Sequence, residues 1–180
     1  ELPKQFMLRP PLQVSKGRLL WKEGGDVAFQ GSITVGGGSQ LSLDLVRGLQ
    51  GIEAKQIMIA DRGQSARMTL DLKKENFGFS FNGNLEQETL NRIFQTPPLE
   101  GSLIQGDIEV SVFEAPLRFN ARGRLSGREL RLPLQDETVV VEFFFLEADT
   151  AGINVRSANL VWRESRLSLM GKVLPDANAL

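Results

Sequence analysis

Apolar and polar residues alternate one by one along most of this chain, the mark of strands with one greasy face and one wet face. Val27, Phe29, Gly31, Ile33 and Val35 share a face, and Leu41, Leu43 and Leu45 resume the pattern after a Gly36-Gly37-Gly38 turn. It continues through 52–60 and 66–72, and then through Phe77, Phe79 and Phe81 after a Lys74-Glu75-Asn76 turn. Later runs cover 104–113, 117–125, 129–134, 138–148, 153–162 and 166–174, and an early one covers 14–21. About a dozen short strands at regular spacing predict a mostly β fold. Pro10, Pro11, Pro97, Pro98, Pro116, Pro133 and Pro175 fall between these runs or at their ends, where a missing N–H costs no ladder bond.

One segment breaks the period. Between Asn84 and Phe94, the apolar Leu90, Ile93 and Phe94 share a helical face, with Asn84 as N-cap and Gln87 three residues on as a capping box. Pro97-Pro98 would end this helix, expected near 86–95. Two to three turns are too few to stand alone, so the helix must pack, and covering an end of the sheet is its expected job.

The chain also resembles itself. Val14-x4-Leu19-Leu20-Trp21-Lys22-Glu23 recurs as Val155-x4-Leu160-Val161-Trp162-Arg163-Glu164, giving repeat units at about 14–33 and 155–173. Each is followed by the same strand signature, Val27-x-Phe29-x-Gly31-x-Ile33 and Leu167-x-Leu169-x-Gly171-x-Val173. Phe79-x-Phe81-x-Gly83-x-Leu85 and Phe119-x-Ala121-x-Gly123-x-Leu125 repeat it in the middle. Gly31, Gly83, Gly123 and Gly171 thus sit on the apolar face, where a missing side chain lets a sheet bend or another chain approach. The plain alternative is glycine merely tolerated near strand ends. The fold expected is a strongly twisted antiparallel sheet curled into an open groove or flattened barrel, in one domain over 1–180. A two-sheet sandwich is the structural alternative.

The paired motif, an apolar strand ending in Trp followed by a turn and a glycine-bearing strand, resembles the repeats of the AsmA-like family of bacterial envelope proteins, TamB-like proteins included. The stretches Phe81–Phe94 and Gly123–Pro133 are similar to segments of AsmA-type domains. The resemblance covers most of Val14 to Val173, and its motifs are degenerate. It implies a periplasmic section of a longer protein, anchored in the inner membrane outside this sequence. It also implies an apolar concave groove for phospholipid acyl chains, in transport or outer-membrane maintenance, and contact with other segments of the same protein.

Composition narrows the chemistry. Cysteine and histidine are both absent, removing the thiolate nucleophile, the commonest general base and the commonest transition-metal ligands. Carboxylates such as Asp107 and Glu109 alternate on a polar strand face, and nothing marks them as an acid/base couple. No catalytic role, metal or cofactor is expected. A net charge of −1 gives no global reason to expect nucleic acid. Gly36-Gly37-Gly38 lacks the Lys-Ser/Thr and the helix of a phosphate loop. No apolar stretch approaches the roughly 20 residues of a membrane-spanning helix. Both ends are expected to be boundaries inside a longer chain.

The most apolar run is Val139 to Leu146. With Glu142 on the outer face, Val139, Val141, Phe143 and Phe145 would line a groove with Phe79, Phe81, Phe119, Leu167 and Leu169. The alternative for this run is a strand buried on both faces. Trp21 and Trp162, at matching repeat positions, are candidates for the groove rim or plain core. Arg118, Arg122 and Arg124, with Arg128 and Arg131, form a basic strip that suits lipid phosphate or an ordinary sheet face balanced by cross-strand acids. A second function class stays open beside the lipid one: a structural or adaptor module docking through its sheet edges.

Overall fold

The computed structural model describes residues 7–21, 26–36, 38–49, 51–95, 103–114, 117–134 and 137–173. They form one antiparallel meander whose strands neighbour each other in chain order. Its first half is β1 (Leu12–Trp21), β2 (Val27–Val35), β3 (Ser39–Gly48), β4 (Gly51–Asp61), β5 (Gln64–Lys73) and β6 (Asn76–Glu86). A short helix α1 (Gln87–Ile93) follows. The sheet then resumes with β7 (Leu103–Glu114), β8 (Leu117–Leu134), β9 (Glu137–Asp149), β10 (Gly152–Trp162) and β11 (Ser165–Val173). The first and last strands do not pair, so the sheet is an open curl and not a closed barrel.

Cross-strand partners share a face, which lets each face be followed across the sheet. One row on the apolar face runs Ala148, Gly123, Ile108, Phe81, Met68, Ile57, Leu43, Gly31. The core sits on this face. Phe81, Leu85, Ile108, Val110, Ala121 and Ala148 join Val35, Leu41, Ile59 and Ala66 in one buried cluster, which Leu90 and Ile93 of α1 complete. The opposite face carries hydroxyl and ion pairs between neighbouring strands, such as Ser32–Ser42, Thr69–Ser80 and Arg122–Glu109.

Glycine is required where neighbouring strands approach most closely. Gly83 (φ +127°) and Gly123 (φ +103°) occupy backbone conformations that residues with a side chain rarely adopt. A Cβ on Gly83 would lie 2.2 Å from the Ser65 carbonyl oxygen, and one on Gly123 1.9 Å from that of Asp107. Their strands can approach only because no side chain intervenes. Gly31 differs: its neighbour is the Gly17 backbone, 2.9 Å from an added Cβ, and its φ is ordinary. Gly171, on the edge strand β11, has open space around it and needs no glycine.

Three local expectations are corrected. The runs 117–125 and 129–134 are one strand, β8, because Gly127 does not turn the chain. Gly127 instead lies under the Phe144 ring, and the ladder to β9 continues past it. The helix is not capped by Asn84, which stays in β6 opposite Gln105, and the cap position falls to Glu86 with no side-chain cap bond. Phe94 lies outside the helix, bridged to Leu8. Pro97, Pro98 and the end of the last predicted strand at Leu174 lie outside the described residues.

Candidate functional site

The apolar face has two unlike ends. At the upper end, with the Arg62-Gly63 turn and α1, the row Val35, Ser39, Asp61, Leu85 is buried. The helix sits across this end and touches both β3 and β6, sealing it with Leu90 and Ile93. Residues 7–9 and 93–95 strap it from outside: Arg9 N–H donates to Ile93 O at 2.8 Å, and Gln95 N–H to Met7 O at 2.7 Å.

A buried carboxylate locks the helix in place. Asp61, at the end of β4, falls in step with Ile57 and Ile59 on the apolar face. Its Oδ1 accepts from the Ser39 hydroxyl at 3.0 Å, and its Oδ2 from Arg92 Nε at 2.7 Å and from Arg92 Nη2. The Thr89 hydroxyl lies 3.3 Å from Oδ2 and 3.3 Å from Gln64 Oε1. Burial alone would push the Asp61 carboxyl up. Arg92, with the Ser39 and Thr89 hydroxyls, outweighs it and holds the group below its ordinary 3.8. Ser39, Asp61, Thr89 and Arg92 were not among the residues that strand periodicity singles out. The available signal was a carboxylate in step with an apolar row.

At the lower end, with the β3–β4 and β5–β6 turns, the same face is uncovered. The last row places Trp21, Ile52, Leu72 and Phe77 in solvent at 79, 47, 42 and 41% exposure. The geometry is an apolar trough closed by a helix at one end and open at the other.

The residues proposed for the groove divide. Phe79, Phe81 and Phe119 lie on the apolar face, in or against the buried cluster. Val141 is buried opposite Leu130 and Leu160, with Val139 one step along the same face. Leu167 and Leu169 line the face along edge strand β11, exposed, opposite Leu160 and Ala158. Phe143 and Phe145 do not join them. They pair with Arg128 and Asn159, and with Ser126 and Ser157, on the outer face. The reason is a bulge: β9 has one residue more than β10 at Glu142, which inverts the alternation. Phe144 and Leu146 take the inward places instead.

Trp21 and Trp162 share the apolar face but not an end of it. Alternate strands of a meander reverse direction, so β1 and β10 run oppositely. Trp21 lies at the lower end beside Val27, whereas Trp162 lies beside Val139 and Ser165 at the top of the β9–β11 flank. Both are exposed. Two arginines of the strip are balanced: Arg122 pairs with Glu109 at 2.6 Å, and Glu147 takes Arg124 at 3.1 Å together with Arg156.

Among the described residues no three carboxylates gather as a metal site, and no helix is long and apolar enough to cross a membrane. Comparison with protein-family models, with curated proteins and with solved structures returns no match.

Proposed function

We propose that this chain is a non-catalytic, lipid-contacting section of an AsmA-like envelope protein, whose apolar sheet face takes phospholipid acyl chains in transport or outer-membrane maintenance. In this reading it lies in the periplasm, works beside other segments of the same protein, and is tethered to the inner membrane by sequence outside this chain. The observation that supports it is the trough, which runs from Phe79 and Phe81 to an exposed row of Trp21, Ile52, Leu72 and Phe77 that Arg47 interrupts. A monomeric soluble protein seldom leaves such a stripe in water, and each methylene of a guest chain withdrawn there gains about 0.8 kcal/mol.

The test is photo-crosslinking. With benzoylphenylalanine in place of Phe79 on the apolar face, or of Ser80 on the polar face, irradiation of cells should join phospholipid to the first position and not the second. Mass spectrometry of lipid co-purified with the unmodified chain supplies the independent check. No crosslink at Phe79, with no co-purified lipid, overturns the reading.

A second reading is supported by one feature. Strand β11 exposes all nine of its residues along a free edge. An adaptor would use such an edge to continue the sheet with a neighbouring segment or partner. Analytical ultracentrifugation across a concentration series tests it. Self-association that Ser168→Pro abolishes favours the adaptor, and a monomer throughout counts against it.

A further inference from the structure

The two free edges of the sheet differ. On β1 an extra residue between Ser15 and Arg18 breaks the ladder, and Lys16 holds a positive φ of 55°. Bulges of this kind twist an edge away from pairing. Strand β11 has no such guard. The bulge of its hairpin falls in β10, and Ser165 to Val173 include no proline and no positive φ. Leu167 and Leu169 lie on its apolar face, and Met170, 83% exposed, on its polar one. Glu164 in the β10–β11 turn and Lys172 near the far end of β11 are both exposed, and the ion pairs among the described residues include neither.

Geometry decides what β11 can meet. Strands β1 and β11 run the same way in the meander. A second copy with its apolar face on the same side therefore offers β1 in parallel or, turned half a circle about the sheet normal, its own β11 in antiparallel. The antiparallel pairing is the more stable per residue, and it joins the two unguarded edges. Directly opposite residues share a face, so only registers that oppose even-numbered residues to even-numbered ones keep the faces continuous. One of these centres the two-fold axis on Ser168. It sets Leu167 opposite Leu169 of the second copy, and Met170 opposite the aliphatic stem of Arg166. It alone sets Glu164 opposite Lys172, twice by symmetry. Moving the axis to Leu169 would oppose Arg166 and Lys172, two cations. Moving it to Met170 would put Ser168 opposite Lys172 and part Glu164 from it.

We propose that this chain forms a two-fold dimer through β11, with the axis at Ser168 and Glu164 paired with Lys172 across the interface. The dimer continues one sheet into the next and keeps both apolar faces on one side. The inference rests on the adaptor reading of the β11 edge and names the partner as a second copy of this chain.

Single cysteines read the register, because the chain has none of its own. Opposite residues of an antiparallel pair have Cα atoms about 4.5–5.5 Å apart, within disulfide reach. Ser168→Cys should therefore cross-link to itself under mild oxidation. Arg166→Cys and Met170→Cys, each roughly 14 Å along the strand from its own copy, should stay single alone and cross-link when mixed. Sedimentation over a concentration series reads the strength. Lys172→Glu opposes two acids at both ends of the interface and should weaken the dimer about tenfold. Combining it with Glu164→Lys should restore the dimer, with unchanged circular dichroism confirming the fold of each variant. The two readings fail separately. Self-association that Ser168→Pro abolishes, but that neither cross-links at Ser168→Cys nor follows the charge reversal, overturns this inference alone. A monomer at every concentration overturns both and leaves the edge to a different chain.

Discussion

Substituting alanine at three glycines that look alike in sequence should give unlike results. Gly83, Gly123 and Gly171 each follow the same alternating apolar signature, yet only the first two have positive φ, at +127° and +103°. Holding alanine in such a conformation costs about 1–3 kcal/mol. Contact adds to it: a methyl carbon cannot sit 2.2 Å from Ser65 O or 1.9 Å from Asp107 O, so neighbouring strands must part and strain their ladder bonds, each worth about 0.5–1.5 kcal/mol net. Together these predict a loss of about 3 kcal/mol for Gly83→Ala and for Gly123→Ala. For a chain of this size that is roughly 6–12 °C in melting temperature. Gly171→Ala meets nothing within 4 Å at an ordinary φ and should stay within about 0.5 kcal/mol of the unmodified chain. Gly31→Ala should fall between, since its obstacle is a single close approach to Gly17. Thermal melts followed by circular dichroism, with denaturant midpoints as a second measure, read all four. Equal losses at Gly123 and Gly171, or none at Gly123, would refute the claim that glycine is what lets these strands approach.

Three further outcomes follow from the structure. Arg92→Gln leaves the Asp61 carboxylate buried beside two hydroxyls and should cost about 3 kcal/mol; adding Asp61→Asn should recover much of it, so the double-mutant cycle is strongly non-additive. The same carboxylate makes stability pH-dependent. Its folded pKa is lowered, so its contribution is fully present above the ordinary 3.8 and lost as pH falls through the folded value. Asp61→Asn should flatten that acid limb in melts recorded from pH 6 to pH 2, and an unchanged limb would remove Asp61 from the latch. Phe144→Ala should destabilise by about 3 kcal/mol and Phe143→Ala by under about 1, since only the first faces inward over Gly127. A reversed order in denaturant unfolding would overturn the bulge at Glu142.

The strands were legible because alternation is a local property, and each run needed only its own residues. The helix was legible from the spacing of Leu90 and Ile93 alone. Its cap was not. A side-chain cap at Asn84 competes with ladder pairing through Glu86 opposite Leu103, and pairing wins because β7 lies alongside for the full length of β6. The break placed between Leu125 and Glu129 failed for a related reason. Ser126-Gly127 reads as a turn, but Phe144 from β9 needs the space above Gly127, a demand arising about seventeen residues later in the chain and invisible to a local pattern. The Asp61 latch was hidden more deeply, since Ser39, Asp61, Thr89 and Arg92 meet only when β3, β4 and α1 converge.

The groove residues show where a periodic reading breaks down and what repairs it. Val14 and Leu19 lie five apart, as do Val155 and Leu160, and in a regular strand an odd separation puts two residues on opposite faces. Both pairs nevertheless share the apolar face. Strand β1 carries an extra residue between Ser15 and Arg18, and β10 carries one between Val155 and Ala158. Strand β4 does the same between Ala54 and Ile57, returning Ile57 and Ile59 to the face of Ile52 and Ala54. Apolar residues at odd separation within one strand are therefore evidence for a bulge, because the alternative exposes half of them to water at roughly 1.5–3 kcal/mol each. Applied to β9, the rule moves Phe144 and Leu146 inward beside Val139 and Val141 and releases Phe143 and Phe145 to the polar face, as the pairing with Ser126 and Ser157 requires. Bulges raise local twist as well as correcting parity. The irregular spacings that blur the repeat thus also help to turn a flat ribbon into a trough.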